Sequence, residues 1–131
     1  MPESITPFLM FEGTAEAAVT LYVSLFPDSA IHVIEKYGPG EGGTVGNVKR
    51  CEFSVSGLRL RCFDSPVKHG FTFTPSISLF VDCRSEEELD AAFKTLSERG
   101  GVLMPPGTYG FSRKFAWCND RFGVSWQLNL P

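Results

Sequence analysis

The sequence predicts an α+β fold built from two tandem βαβββ modules, and three observations carry that prediction. An opening strand that feeds a helix, Thr6-Pro7-Phe8-Leu9-Met10-Phe11, is echoed by Thr74-Pro75-Ser76-Ile77-Ser78-Leu79-Phe80-Val81, which feeds a second helix. The two helices carry apolar stripes, Ala18, Leu21, Tyr22 and Leu25 in the first and Leu89, Ala92, Phe93 and Leu96 in the second. Both follow i, i+3, i+4, i+7, the spacing of one buried helical face. Late in each half, Gly57-Leu58-Arg59-Leu60-Arg61 returns in character as Gly123-Val124-Ser125-Trp126-Gln127. The offsets are 68 residues (Thr6 to Thr74), 71 (Ala18 to Leu89) and 66 (Gly57 to Gly123), so the halves keep register within a short insertion. Such a duplication is expected to give a curved mixed sheet with helices on the convex face and a hollow on the other.

The elements follow in order. Residues 5–11 form the first strand, and Glu12-Gly13-Thr14 turns the chain into a helix that runs to Phe26, where Pro27-Asp28 stops it. Residues 31–37, with Ile31-His32-Val33-Ile34, read as a strand. Gly38-Pro39-Gly40-Glu41-Gly42-Gly43 matches a phosphate loop only in glycine count. No Gly-Lys-Ser/Thr follows it and no helix opens after it, so a lid or hairpin connection is expected. Ser56-Gly57 fits a two-residue hairpin turn. Counting outward from it opposes Val55 to Leu58, Phe53 to Leu60, Glu52 to Arg61 and Cys51 to Cys62.

Module one is placed at residues 1–65, a linker at 66–73 and module two at 74–131 of a single domain. In module two a strand is expected over 75–82. Ser85 with Glu88 three residues on is a capping-box signature. Gly100-Gly101 is the expected helix stop, and strands follow at 102–104, 114–118 and 124–130.

Composition narrows the function classes. A chain of 131 residues is long enough to bury a core without staples. Its net charge of −3 argues against a nucleic-acid partner. No run of 18 apolar residues is present to span a membrane. The opening Met1-Pro2-Glu3-Ser4 lacks a basic secretory leader, and a cytoplasmic protein is expected. Cys51, Cys62, Cys83 and Cys118 are scattered without zinc spacing and read as buried, reduced thiols. Cytosolic redox poise and strained cross-strand geometry disfavour a Cys51–Cys62 bond.

Strand alternation separates two faces. In the first hairpin, Cys51, Phe53, Val55, Leu58, Leu60 and Cys62 form an apolar face for the helix, while Glu52, Ser54, Arg59 and Arg61 share the other. In module two, Ser76, Ser78, Phe80 and Asp82 oppose Ile77, Leu79 and Val81, and Ser125, Gln127 and Asn129 oppose Trp126, Leu128 and Leu130. Polar stripes of this kind either face water, as one-sided antiparallel sheets do, or line a pocket.

Several stretches together resemble the PhnB-like branch of the vicinal oxygen chelate (glyoxalase/bleomycin-resistance/dioxygenase) superfamily. They are Thr6-Pro7-Phe8-Leu9-Met10-Phe11, Tyr22-Val23-Ser24-Leu25-Phe26-Pro27-Asp28-Ser29, Asp64-Ser65-Pro66-Val67-Lys68-His69, Phe71-Thr72-Phe73-Thr74-Pro75 and Asn119-Asp120-Arg121-Phe122-Gly123-Val124-Ser125-Trp126-Gln127. Members of that branch often carry the label 3-demethylubiquinone 3-methyltransferase. The resemblance implies paired βαβββ modules and a homodimer. It also implies a divalent-metal position formed by a His near the start of each module's first strand and a carboxylate on each last strand. Carried onto this chain, those positions fall at Pro7, Ser76, Arg61 and Gln127. None is a His or a carboxylate, and Arg61 sets a permanent cation where a metal would sit, so no metal and no other cofactor is expected. His32 and His69 lie outside these positions and read as surface or linker residues.

A pocket so altered is expected to bind a small molecule, neutral or anionic, through Arg61, Ser76, Ser78 and Gln127, with Arg59 and Trp117 beside them. Arg61 suits the work because its planar fork pairs with carboxylate or phosphate. Equally, Arg61 and Glu52 pair with each other across the hairpin. Tyr37, Phe71, Phe73, Tyr109, Phe111 and Trp117 are candidates for the walls. The alternative is a superfamily enzyme of lyase, isomerase or dioxygenase type, using a metal or Glu52 as general base. Methyl transfer is not expected, because no Gly-x-Gly-x-Gly follows a strand and the element order is not of Rossmann type.

Overall fold

The computed structural model describes residues 1–131, which divide into two compact units, Met1–His69 and Gly70–Pro131. Each unit is one βαβββ module with its own four-stranded mixed sheet.

The first unit runs β1 (Phe8–Phe11), α1 (Ala15–Leu25), β2 (Ala30–Lys36), β3 (Val48–Val55) and β4 (Leu58–Asp64), in the sheet order β1-β4-β3-β2. Strand β1 lies parallel to β4, and the remaining pairs are antiparallel. Ser56 and Gly57 take φ of 46° and 86°, the left-handed pair that a two-residue hairpin with native twist demands. The hairpin register is the one counted from that turn, Val55 opposite Leu58 through Cys51 opposite Cys62. The glycine-rich stretch is the hairpin connection between β2 and β3. Its Gly43 lies flat on the Tyr37 ring, where an added Cβ would come within 2.6 Å of ring carbons.

Helix α1 buries Ala15, Ala18, Val19 and Tyr22. Its core stripe is therefore rotated from the expected one, and Leu21 and Leu25 sit at its half-buried edge. The small Ala15 and Ala18 let the helix axis approach the sheet, which turns the larger leucines to the margin. Thr14 caps nothing with its side chain. The N-terminal amides of α1 are instead satisfied by Asp64 from the end of β4, whose Oδ1 accepts from Gly13 N at 2.8 Å and Ala15 N at 3.0 Å.

The second unit runs β5 (Leu79–Asp82), α2 (Glu86–Ser97), β6 (Gly101–Gly107), β7 (Lys114–Asn119) and β8 (Ser125–Leu130), in the order β5-β8-β7-β6. Strand β5 starts four residues later than expected. Thr74-Pro75-Ser76 forms a turn instead, in which Thr74 Oγ1 accepts from Ser76 N at 3.3 Å and Thr74 O accepts from Ile77 N. Helix α2 buries Leu89, Ala92 and Leu96 as its stripe predicts. Ser85 Oγ accepts from Glu88 N at 3.1 Å, and Glu88 Oε1 reaches back to accept from Arg84 N, one residue before the cap. Asp120 fixes the last hairpin from within: its Oδ1 accepts from Phe122 N and Val124 N, and its Oδ2 from Trp126 Nε1 at 2.9 Å.

All four cysteines are buried and free. Cys51 and Cys62 face each other across the hairpin, and their interaction lowers the Cys51 pKa and raises that of Cys62. Burial pushes the Cys83 and Cys118 thiols from 9.0 up to about 11. Both therefore keep their protons to higher pH in the folded state than in the unfolded chain. The stability they contribute is complete below about pH 9 and is lost as pH rises through about 11. The melting temperature is expected to fall over that window, and to fall less steeply in a Cys83→Ala/Cys118→Ala variant. A slope unchanged by the double substitution would show that other groups set the alkaline limit.

Candidate functional site

A cleft of about 350 Å³ opens on the face of the first unit's sheet that points away from α1. Phe8 on β1, Lys49, Arg50 and Glu52 on β3, and Arg61 and Phe63 on β4 line it. The hairpin turn explains the grouping. Val55 and Leu58 close the two-residue turn as a hydrogen-bonded pair, so alternation makes Glu52 and Arg61 a non-hydrogen-bonded pair, in which side chains stand closest. The Arg61 amide points the other way, donating to Pro7 O at 2.9 Å. The parallel register of β1 on β4 then sets Phe8 beside Arg61.

Charges around the cleft are unevenly matched. Arg50 donates to Glu35 through Nη1 and to Glu52 through Nη2, both at 2.9 Å. Lys49 donates to Glu41 at 2.8 Å, which raises the lysine pKa and lowers that of the carboxyl. Arg61 has only the far oxygen of Glu52, 3.3 Å from Nε, without a directed hydrogen bond to any of its guanidinium N–H groups. Arg59, opposite Ser54, adds another exposed cation. Four cations thus face three carboxylates in a chain of net charge −3. Glu52 has one oxygen on each of two guanidiniums, an arrangement that holds arginines in place and leaves little freedom to take a proton from a substrate.

The apolar part of the cleft is Phe8 and Phe63, stacked with centroids 5.2 Å apart and 23° between planes. Neither was among the aromatics expected as walls. The signal was available: Phe63 shares the alternation parity of Arg59 and Arg61, and Phe8 follows once β1 is paired in parallel with β4. Tyr37, by contrast, is buried and donates to Asp64 O.

The remaining expected residues lie in the second unit. Three of them are tied into one chain of hydrogen bonds through the buried Ser125. Trp117 Nε1 donates to Ser125 Oγ at 2.9 Å, Ser125 Oγ meets Ser78 Oγ at 2.7 Å, and Gln127 Nε2 donates to Ser78 Oγ at 3.1 Å. Ser76 does not join them; it sits in the turn before β5 with its Oγ 2.7 Å from Thr74 Oγ1. Tyr109 and Phe111 gather with Phe80 and Phe115 in an aromatic cluster whose closest ring pair is 4.9 Å apart. His32 Nε2 lies 2.9 Å from Ser54 Oγ, and His69 Nε2 lies 3.1 Å from Ser65 Oγ.

Strand pairing also corrects the alignment of the halves. Phe8 pairs with Arg61, and Phe80 pairs with Gln127. The first strands therefore correspond at an offset of 72 residues, and the counterpart of Pro7 is Leu79 rather than Ser76. The Thr-Pro repeat at an offset of 68 is a likeness of sequence alone. With the first strands matched in this register, the positions to which the resemblance assigns metal ligands hold Pro7 and Arg61 in the first unit and Leu79 and Gln127 in the second. No three His, Cys, Asp or Glu side chains gather anywhere in the chain. Neither unit's pair supplies the imidazole or carboxylate donors that a divalent cation takes.

Two βαβββ units with these strand orders make a fold of the glyoxalase/bleomycin-resistance type. A family model described as 3-demethylubiquinone-9 3-methyltransferase matches residues 3–129, and the chain belongs to that PhnB-like family. Among solved structures, a Bacillus cereus PhnB protein carrying the same methyltransferase label is 50% identical over 98% of this chain and 100% of its own, with a TM-score of 0.96. Protein PA1353 of Pseudomonas aeruginosa is 23% identical over 98% of both chains, with a TM-score of 0.84. FosX of Listeria monocytogenes, a fosfomycin resistance protein solved with manganese and a dihydroxypropylphosphonic acid, shares the fold alone. Its identity is 11% over 100% of this chain and 94% of its own, at a TM-score of 0.63. No curated protein matches the chain. No helix is long and apolar enough to cross a membrane.

Proposed function

We propose that this protein binds a small anionic molecule in the cleft of its first unit, at Arg61, without a divalent metal. The carrying observation is the unequal pairing of the three cations that line the cleft. Lys49 and Arg50 are hydrogen-bonded to carboxylates, whereas Arg61 offers its guanidinium edge beside a half-apolar hollow. A carboxylate or phosphate accepts two parallel N–H bonds from such an edge. Glu52 then keeps its bond to Arg50, so anion binding at Arg61 strands no carboxylate.

Ser78, Trp117 and Gln127 serve in this reading as the hydrogen-bonded frame of the second unit, and Arg59 supplies attraction to anions. A homodimer, which the family resemblance implies, and a cytoplasmic location belong to the same reading. The enzyme alternative needs either a metal, for which the donor set is unsuited, or a free base, and Glu52 is held by two arginines. Methyl transfer, named in the family's description, finds no Rossmann strand order in either sheet. The α1 N-terminus, where such folds seat a phosphate group, is already occupied by Asp64.

Thermal denaturation tests the proposal. Inorganic phosphate or acetate at ten times its dissociation constant is expected to raise the melting temperature by about 5 °C, and to leave an Arg61→Ala variant unmoved. An equal rise in the variant would remove Arg61 from the site.

A further inference from the structure

We infer that the ligand's body is a flat aromatic ring, so that the cleft selects arene carboxylates over other small anions. The inference rests on the anion reading above and adds to it the chemistry of the other end of the ligand. Phe8 is 61% exposed although it opens a strand of a sheet with a well-filled core. Its ring is held by the stack on Phe63, and its strand partner is Arg61. Phe63 is two residues beyond Arg61 on β4 and therefore on the same face, about 6.6 Å further along the strand. One face of the sheet thus presents a guanidinium and, next to it, an aromatic surface set by strand pairing rather than by a mobile loop.

A carboxylate on Arg61 places the atoms attached to it over the Phe8 and Phe63 rings. A planar ring there gains offset or edge contacts that a saturated ring of the same size does not. At about 350 Å³ the cleft is at the small end of ligand sites, the size for one ring and a short acidic arm. Lys49 and Arg50, already paired with Glu41 and Glu35, border the cleft without competing for that carboxylate.

Chemical-shift titration of the full chain separates the possibilities, with benzoate, cyclohexanecarboxylate and benzamide as probes. Benzoate is expected to bind three- to tenfold more tightly than cyclohexanecarboxylate. Benzamide, which lacks the charge, is expected to bind at least tenfold more weakly than benzoate. In Phe8→Leu, an exposed position where the fold tolerates the change, the preference for benzoate over cyclohexanecarboxylate is expected to disappear while both acids still bind. Equal affinity for the two acids in the unaltered protein, or a preference that survives Phe8→Leu, would overturn the aromatic inference and leave the anion reading standing. Binding of neither acid would overturn both, and benzamide binding as tightly as benzoate would overturn the acidic end.

Discussion

Replacing Asp64 with alanine is expected to remove about 4 kcal/mol of folding stability, a large share of what a domain of this size possesses. Asp64 is 2% exposed. One oxygen accepts from Gly13 N and Ala15 N, and the other accepts from Val48 N at 2.8 Å. A single carboxylate therefore ties the start of α1 and the start of β3 to the end of β4. Removing it leaves two buried donors and one half-buried donor unpaired, the buried ones costing on the order of 1–3 kcal/mol each less whatever water regains. Asp64→Asn keeps the first oxygen but turns an NH2 group towards the Val48 amide, so it too is expected to be destabilising. Urea denaturation measures both variants, and a loss below about 1 kcal/mol for Asp64→Ala would show that water replaces the carboxylate without penalty.

Gly100→Ala is expected to cost about 2–3 kcal/mol, at the upper end of overpacking changes. A Cβ on Gly100 would lie 2.1 Å from the Asn119 carbonyl oxygen and 3.0 Å from the Asp120 carbonyl carbon, both backbone atoms. Relief requires separating the end of α2 from the last hairpin turn. Gly101→Ala is the matched control, since nothing lies within 4 Å of its added methyl, and it is expected to be close to neutral. Equal destabilisation by the two substitutions would contradict the close approach as the cause.

That pair of glycines also shows how far the sequence could be read. Gly100-Gly101 was expected to end α2 by supplying a left-handed residue, and α2 does end at Ser97. The left-handed residue is Arg99, with φ of 58°, and Gly100 is there because another strand's backbone passes against it. Local chemistry was legible, whereas a long-range close approach left no local mark. Alternation and a two-residue turn carried the first hairpin to its full register, Glu52 opposite Arg61 included.

Repeat matching misled at the start of module two. Thr74-Pro75 resembles Thr6-Pro7, yet only the earlier pair abuts its strand, and Ser76 is left in a turn away from Ser78 and Gln127. Asp64 went unremarked although it stands, by parity, with Leu60 and Cys62 on the apolar face. A carboxylate on such a stripe must find donors, and the first turn of the adjoining helix is where unpaired amides are found. Phe8 and Phe63 were missed because their meeting depends on a parallel pairing between strands far apart in sequence.

Calorimetric titration of benzoate into chelator-treated protein tests most directly whether an anion is held at Arg61 with no metal. One site per chain, an affinity that weakens with added salt as a partly exposed cation requires, and no binding heat in Arg61→Ala are the predicted results. Binding that returns only after a divalent cation is restored, or that persists unchanged in Arg61→Ala, would contradict the account.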